Sequence, residues 1–145
     1  MAYTGRCACG AVTAQINGEP LAVRQCWCRQ CQQIAAGGAT TNAMFLTAEV
    51  ALSGETATHG FTAASGNTVT QHFCPTCGTP IFGQSSARPH IRSLRFGFID
   101  EPHGLRPTAA IWLEDAPSWA MIDPSLEQFP RQAPPPQTRS ENERG

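Results

Sequence analysis

Short segments in which apolar and polar residues roughly alternate recur along most of the chain, separated by Thr, Ser, Asn, Gly and Pro. Alternation with a period of two predicts half-buried β-strands. The predicted strands are 12–16, 21–25, 40–46, 48–53, 56–62 and 67–73, and further apolar segments follow at 80–82, 93–99 and 109–113. Residues 29–35 predict a short helical turn that Gly37 and Gly38 end. Short strands at regular spacing are typical of a mainly β domain.

The length of 145 residues fits one domain with one modest core. Residues 1–130 are predicted to form that domain, whose core should include Phe96, Phe98, Trp112 and Trp119. From Arg131 onward the residues are Gln, Pro, Arg, Ser, Glu and Gly, with almost nothing apolar. Such a composition predicts a disordered tail over residues 131–145.

The charge balance argues against two classes of partner. The ten positive residues are all Arg, and with eleven acidic residues the formal net charge is −1. This provides no electrostatic basis for binding nucleic acid or an anionic membrane. No segment approaches the ~20 apolar residues of a membrane-spanning helix, and the first residues do not resemble a secretory signal. We therefore expect a cytoplasmic protein with reduced thiols.

All seven cysteines fall into three clusters, and an odd number fits poorly with a disulfide framework. The clusters are Cys7 with Cys9, Cys26 with Cys28 and Cys31, and Cys74 with Cys77. Pairs spaced Cys-x-Cys or Cys-x-x-Cys can direct two sulfurs from one turn to a metal about 2.3 Å away. Gly78, directly after Cys77, permits the backbone turn that such a pair requires. A redox Cys-x-x-Cys pair would need a βαβ context, which this strand-rich sequence does not offer.

Counting sulfurs suggests how the clusters combine. Four sulfurs close a structural zinc site, whereas three leave one coordination position open, as catalytic zinc requires. The two pairs supply four sulfurs, and the triplet Cys26, Cys28 and Cys31 supplies three. Spacing alone also allows Cys28 and Cys31 to join the 74/77 pair, which would leave three cysteines without a role. The first grouping is favoured because it leaves no sulfur unexplained.

The cysteine motifs also resemble a known family. They read Gly-Arg-Cys-Ala-Cys-Gly at 5–10, Cys-Trp-Cys-Arg-Gln-Cys at 26–31 and Phe-Cys-Pro-Thr-Cys-Gly at 73–78. Weaker matches are Gly-Phe-Ile-Asp at 97–100, Ala-Pro-Ser-Trp at 116–119 and Leu-Glu-Gln-Phe-Pro at 126–130. In this order they resemble the glutathione-dependent formaldehyde-activating enzyme family, which also includes centromere protein V. The resemblance covers about residues 3–130.

The resemblance implies a mainly β fold of small twisted antiparallel sheets around a structural zinc, similar to the Rab-exchange-factor zinc fold. It implies two zinc ions per chain, the second of which can be labile. Cys7, Cys9, Cys74 and Cys77 would hold the structural ion, and Cys26, Cys28 and Cys31 the ion with an open position.

Three thiolates around Zn²⁺ sum to a charge of about −1, which disfavours hydroxide formation and suits binding of a soft thiolate. Together with this preference, the resemblance implies a carbon–sulfur lyase reaction that joins or cleaves an adduct of an aldehyde and a small thiol such as glutathione. The alternative is a zinc-stabilised binding module without turnover. A third hypothesis is redox chemistry, with a reversible disulfide in the triplet.

Candidates outside the sulfurs are weaker. His72, two residues before Cys74, could support a ligand or relay a proton, although an outward-facing strand histidine is the simpler interpretation. Arg24 and Arg29 flank the triplet and could pair with carboxylates of a glutathione-like ligand, but exposed arginines are more often only solvated. Trp27, between two of the cysteines, is interpreted as a packing residue.

Overall fold

The computed structural model describes residues 2–137, and within them the chain is mainly β, as the sequence predicted. One α-helix, α1 (Arg29–Ile34), accompanies eleven strands. The strands are β1 (Ala2–Arg6), β2 (Thr13–Asn17), β3 (Ala22–Cys26), β4 (Thr40–Leu46), β5 (Val50–Ser53), β6 (Ala57–Thr62), β7 (Thr68–Phe73), β8 (Pro80–Ser85), β9 (Ile91–Arg95), β10 (Ala109–Ile111) and β11 (Glu127–Gln128). Short 3₁₀ turns lie at Thr47–Glu49, Phe96–Phe98 and Leu113–Asp115.

The strands form two sheets. The smaller sheet is antiparallel, in the order β1-β2-β5. The larger has eight strands in the order β11-β10-β3-β4-β9-β8-β7-β6. It is antiparallel from β3 to β6, whereas β10 runs parallel to both β3 and β11. The parallel edge was not expected, since it joins segments that are far apart in the sequence.

The two faces of the larger sheet have different environments. Ala43 and Phe45 of β4 and Leu94 of β9 are fully buried in the main core, where side chains of both sheets meet. Their neighbours in sequence, Asn42 and Arg95, face the other way because successive strand residues alternate. The eight-stranded sheet thus separates a dry core from a polar face that borders a cavity.

The predicted aromatic core is correct in part. Phe98 is fully buried, and Phe96 and Trp112 are partly buried against core clusters. Trp119 is 67% exposed, so its assignment to the core was wrong. It lies in the 116–126 segment, which contains no strand or helix and in which Met121 is also exposed.

The packed region continues past residue 130. The Arg131 carbonyl accepts a hydrogen bond from the Trp112 backbone N–H at 2.9 Å. The Pro134 carbonyl accepts one from Arg24 Nη2 at 2.8 Å, and Ala133 is buried. Composition could not reveal this because backbone carbonyls make most of these contacts. Residues 138–145, the remainder of the predicted tail, lie outside the described residues. Within 2–137 no helix is long and apolar enough to span a bilayer.

Candidate metal centres and the adjoining cavity

Four cysteine sulfurs meet where the two sheets come together. Cys7 follows β1 of the smaller sheet, and Cys74 follows β7 of the larger one. Their sulfurs and those of Cys9 and Cys77 all lie within 4.8 Å of one another. Cys7 and Cys74 are buried, whereas Cys9 and Cys77 are exposed. A metal held by these four residues would tie the two sheets together.

The two pairs are presented by matching turns. Gly10 donates its backbone N–H to the Cys7 carbonyl at 3.0 Å, and Gly78 donates to the Cys74 carbonyl at 2.9 Å. Both glycines have positive φ, 78° and 77°, a conformation that residues with a Cβ rarely adopt. The spacing of cysteine and glycine in the sequence therefore encodes the local geometry of both pairs.

The sulfur separations fit a tetrahedral zinc ion. Cys7 Sγ lies 3.6 Å from Cys9 Sγ, which in turn lies 3.7 Å from Cys74 Sγ. Ligands about 2.3 Å from a tetrahedral centre are about 3.8 Å apart. All seven cysteines are free thiols, so these short distances are not disulfides.

The remaining three sulfurs converge at the junction between β3 and α1, again within 4.8 Å of one another. Cys26 ends β3, where it pairs with Thr40 of β4 and Ile111 of β10. Cys28 is the N-cap of α1, and its Sγ accepts a hydrogen bond from the Cys31 backbone N–H at 3.4 Å. The helix is six residues long, just enough to bring Cys31 back beside the other two sulfurs.

A glutamine missed in the sequence fixes this short helix. Buried Gln32 donates from Nε2 to the carbonyls of Trp27 at 2.8 Å and Asp115 at 2.9 Å. Both bonds hold α1 against the loop before it and the turn after β10. Because glutamine is usually exposed, no sequence pattern indicated that this side chain would be buried and hydrogen-bonded.

The three thiols of the triplet affect one another's pKa. Hydrogen bonds with Cys26 and then Cys28 lower the pKa of Cys31 to about 3, burial opposes this, and the charge of Arg95 lowers it further. Hydrogen bonds with Cys28 and Cys31 raise the pKa of Cys26, and burial adds to the increase. The three cysteines therefore lie close enough for each sulfur to affect the ionisation of the other two.

The triplet opens onto a cavity of about 700 Å³ on the polar face of the larger sheet. Its charged lining is strongly biased toward positive groups: Arg24, Arg88, Arg95 and Arg131 against Asp115. Burial and the charge of Arg88 lower the pKa of Arg24, while Glu127 opposes them. The positive charges of Arg24 and Arg88 therefore lie close enough to affect each other's surroundings. Such a cavity favours an anionic ligand.

Arg95 is the main site residue that sequence reasoning missed. It is 8% exposed, and its guanidinium donates to Asn42 Oδ1 and Gln71 Oε1. Its charge acts on Cys31, Cys26 and Cys28. The residue lies 64 positions after Cys31 in the sequence, and only the pairing of β4 with β9 brings it to the site.

The weaker candidates fall in different places. Arg24 lines the cavity, whereas Arg29 is exposed, outside the cavity lining, and bonds Gln32 Oε1 at 3.2 Å. The His72 ring stacks on Phe82, and its Nδ1 lies 3.2 Å from Thr56 Oγ1. Its neighbour in the strand, Gln71, is the one that borders the cavity. A supporting role for His72 or Arg29 therefore stays a prediction.

Trp27 is buried, which agrees with a packing role, and its indole nitrogen has no hydrogen-bond partner among the described residues. Its backbone N–H donates to the Ile111 carbonyl at 3.0 Å. This bond continues the β3–β10 pairing beyond Cys26 and helps to fix the loop between Cys26 and Cys28.

Comparison with known proteins identifies the family of this chain. A sequence model described as "Glutathione-dependent formaldehyde-activating enzyme" matches residues 2–115, well over half of the chain. The chain belongs to this family. A search of curated proteins found no match. A similar solved structure is a crystal structure of a Rhodobacter sphaeroides protein, with 21% identity and a TM-score of 0.54, covering 72% of this chain and 91% of that one. This similarity supports the fold alone.

Family membership agrees with the resemblance inferred from the cysteine motifs. The match includes every cysteine and ends at Asp115, at the edge of the cavity. Arg131 and Ala133, which complete the site, lie beyond it. The segment after the matched region therefore also contributes contacts to the site.

Both sulfur groups suit zinc. Thiolates are soft ligands that favour zinc among the common divalent ions available to a protein. The first group offers four sulfurs at tetrahedral spacing, which leaves no position for a substrate. The second offers three sulfurs beside a cavity, so a fourth ligand could enter from the cavity side.

Proposed function

We propose that this protein is a zinc-dependent carbon–sulfur lyase that joins a small thiol to an aldehyde and cleaves the resulting adduct. Glutathione and formaldehyde, the compounds in the family's name, are the first substrates to test. The observation that carries the proposal is the convergence of three sulfurs, one fewer than a closed zinc site needs, at the wall of a cavity of about 700 Å³.

Zinc held by Cys26, Cys28 and Cys31 would supply a position that keeps a thiol deprotonated near neutral pH, although a free thiol titrates at about 8.5. The bonding changes balance without an oxidant. The substrate sulfur forms a bond with the aldehyde carbon, the carbonyl π electrons move to oxygen, and that oxygen takes up a proton equivalent to the one the thiol released. The product is a hemithioacetal, and the reverse reaction breaks the carbon–sulfur bond.

The arginines that line the cavity favour a substrate thiol that carries carboxylates. Arg24 and Arg88 both line it. Burial lowers the pKa of Arg24, and the charge of Arg88 lowers it further, so the two positive groups act on the same region. Separated guanidinium groups can each bind one carboxylate, often in a bidentate manner. Holding the thiol in this way would orient its sulfur toward the triplet, and orientation of this kind can account for a large part of a rate enhancement.

The experiment that tests this proposal uses Cys28→Ser. Serine is a favoured N-cap, so the variant should keep the cap of α1 while losing one sulfur ligand. We expect wild-type protein to hold two zinc ions and to accelerate exchange between glutathione, formaldehyde and their adduct, measured by NMR exchange spectroscopy. The variant should hold one zinc and show only the uncatalysed rate. Gln33→Ser, an exposed position on the same helix, is the matched control.

Other outcomes would point to the alternatives. Two zinc ions with no acceleration for any thiol and aldehyde pair would favour a binding module. A reversible disulfide within the triplet, found by counting thiols before and after mild oxidation, would favour redox chemistry. Either result, or catalysis that survives in Cys28→Ser, would contradict the lyase proposal.

A further inference from the structure

We propose that Arg95 is a positioning residue whose fixed positive charge makes the triplet site select an anionic thiolate over a neutral fourth ligand. The inference rests on the proposed function, because it requires a metal at Cys26, Cys28 and Cys31. It concerns a residue on a different strand, outside the three cysteine motifs.

Arg95 is held by neutral groups. Its two terminal nitrogens donate to the amide oxygens of Asn42 and Gln71. Within residues 2–137, no carboxylate forms an ion pair with it. A buried arginine without an acidic partner carries an uncompensated charge, which is costly unless another anion lies close by.

The anion that lies close by is the triplet. Arg95 lines the same cavity as Cys31, Cys26 and Cys28. Burial lowers the pKa of Arg95, and negative charge on these three cysteines opposes that shift. Strand pairing explains why Arg95 lies on the same side of the sheet as the triplet. Arg95 lies opposite Asn42 on β4, and Cys26 lies opposite Thr40, two residues earlier on the same strand.

The charge of the site changes when the fourth ligand binds. Three thiolates and Zn²⁺ sum to −1, and Arg95 brings the sum to zero. A thiolate ligand would make the metal site −2, and Arg95 reduces this to −1. Because a neutral ligand adds no charge, Arg95 should affect thiolate binding far more than imidazole binding.

The guanidinium is confined as well as buried. Gly83 of β8 lies beside it, and a Cβ at this position would lie 3.0 Å from Arg95 Nη2 and 3.1 Å from Gln71 Oε1. The missing side chain at Gly83 leaves the space that the Arg95–Gln71 pair occupies. Both terminal nitrogens of the guanidinium are hydrogen-bonded, and the space around them is limited. The Arg95 side chain therefore has little freedom to move away from the sulfurs.

The test measures ligand binding rather than turnover. Both metal sites of the full chain are loaded with Co²⁺, and 2-mercaptoethanol or imidazole is titrated while the sulfur-to-cobalt absorption is followed. The probe thiol lacks carboxylates, so Arg24 and Arg88 do not contribute. At pH 7.5 we expect Arg95→Met to weaken thiol binding about 10- to 100-fold and to change imidazole binding less than about twofold. Arg95→Lys, which keeps the charge, should retain most of the thiol affinity.

Equal losses for both ligands, or unchanged thiol affinity in Arg95→Met, would overturn the role of Arg95. If wild-type protein itself binds no thiol at cobalt, the proposed function fails together with this inference. Thiol binding by wild type that is unaffected in Arg95→Met removes only the inference. Should Arg95→Met not fold, Asn42→Asp offsets the charge with an adjacent carboxylate, and a selective loss of thiol affinity is expected there too.

Discussion

Asn42 of β4 and Arg95 of β9 lie directly opposite each other, and the Asn42 side chain joins Arg95 to Thr40. Its oxygen accepts a hydrogen bond from Arg95, while its nitrogen donates to Thr40 Oγ1 at 3.0 Å. The pKa of Cys31 is lowered mainly by Cys26 and Cys28, and Thr40 lowers it further. The side-chain amide of Asn42 thus connects the buried guanidinium of Arg95 with the hydroxyl of Thr40.

Replacing Asn42 with Leu should destabilise the zinc-loaded protein by about 1–3 kcal/mol, because a buried charged donor loses its acceptor. The free energy of unfolding in urea measures the change. Gln15→Ala, at an exposed position of β2, is the control and should stay within about 0.5 kcal/mol of wild type. Equal stability of Asn42→Leu and wild type would contradict the importance of this bond.

The four-cysteine site should matter more for folding than the triplet. Cys74 is fully buried and belongs to the site that joins the two sheets. Structural zinc contributes about 10–16 kcal/mol of apparent binding free energy in small zinc domains, comparable with a whole domain's stability. Cys74→Ser should therefore lose cooperative thermal unfolding in circular dichroism.

By contrast, Cys28→Ser should remain folded with one zinc per chain. Thr76→Ala, an exposed position between the ligands Cys74 and Cys77, controls for changes in the turn alone. A folded Cys74→Ser protein that retains two zinc ions would contradict the assignment of this site.

The segment after residue 130 should protect backbone amides beside the cavity. The N–H groups of Trp112 and Glu114 donate to the carbonyls of Arg131 and Pro130. Ala133 is 5% exposed and packs with Cys26 and Cys31. A charge at this position should detach the segment, so Ala133→Asp is expected to speed hydrogen exchange at these two amides about tenfold. Exposed Pro135→Ala is the control, and unchanged exchange in Ala133→Asp would show that the contacts are not protective.

Tyr3 offers a pH-dependent test, since it is the one tyrosine in the sequence. A hydrogen bond to Glu19, 2.6 Å long, together with burial raises the pKa of Tyr3 to about 12 from the usual 10. The unfolded chain would release the phenol proton near pH 10 while the folded protein keeps it. Stability should consequently fall as pH rises from about 10 to 12.

Absorbance at 295 nm reports phenolate formation and should give a midpoint near 12 in the folded protein and near 10 in denaturant. Glu19→Gln should lower the folded midpoint because the carboxylate charge is removed. A folded midpoint near 10 in wild type would show that the hydrogen bond does not hold the proton.

Each cysteine pair and the triplet could be predicted because the geometry within each of them is local. A cysteine pair and the glycine that follows it determine a turn, and counting seven sulfurs suggested the grouping into four and three. The short helix at 29–35 and the strands that lead into Cys26 and Cys74 were predicted from patterns of similar length, whereas β1, which leads into Cys7, was not predicted.

Arg95, Gln32 and Ala133 could not be predicted, since their roles depend on contacts between distant segments. Arg95 reaches the sulfurs only through the register of β4 and β9. Arginine and glutamine are usually exposed, so composition favours the wrong environment for both. The C-terminal segment is held mainly by backbone carbonyls, which are present in every sequence.

The spacing of the two sulfur groups along the chain also sets the order in which a ribosome can complete them. Cys9 and Cys74 are 65 residues apart, so the four-cysteine site exists only after more than half of the chain has been made. The triplet lies within six residues and is synthesised much earlier. A nascent chain therefore contains all three sulfurs of the triplet long before the four-cysteine site has all its sulfurs.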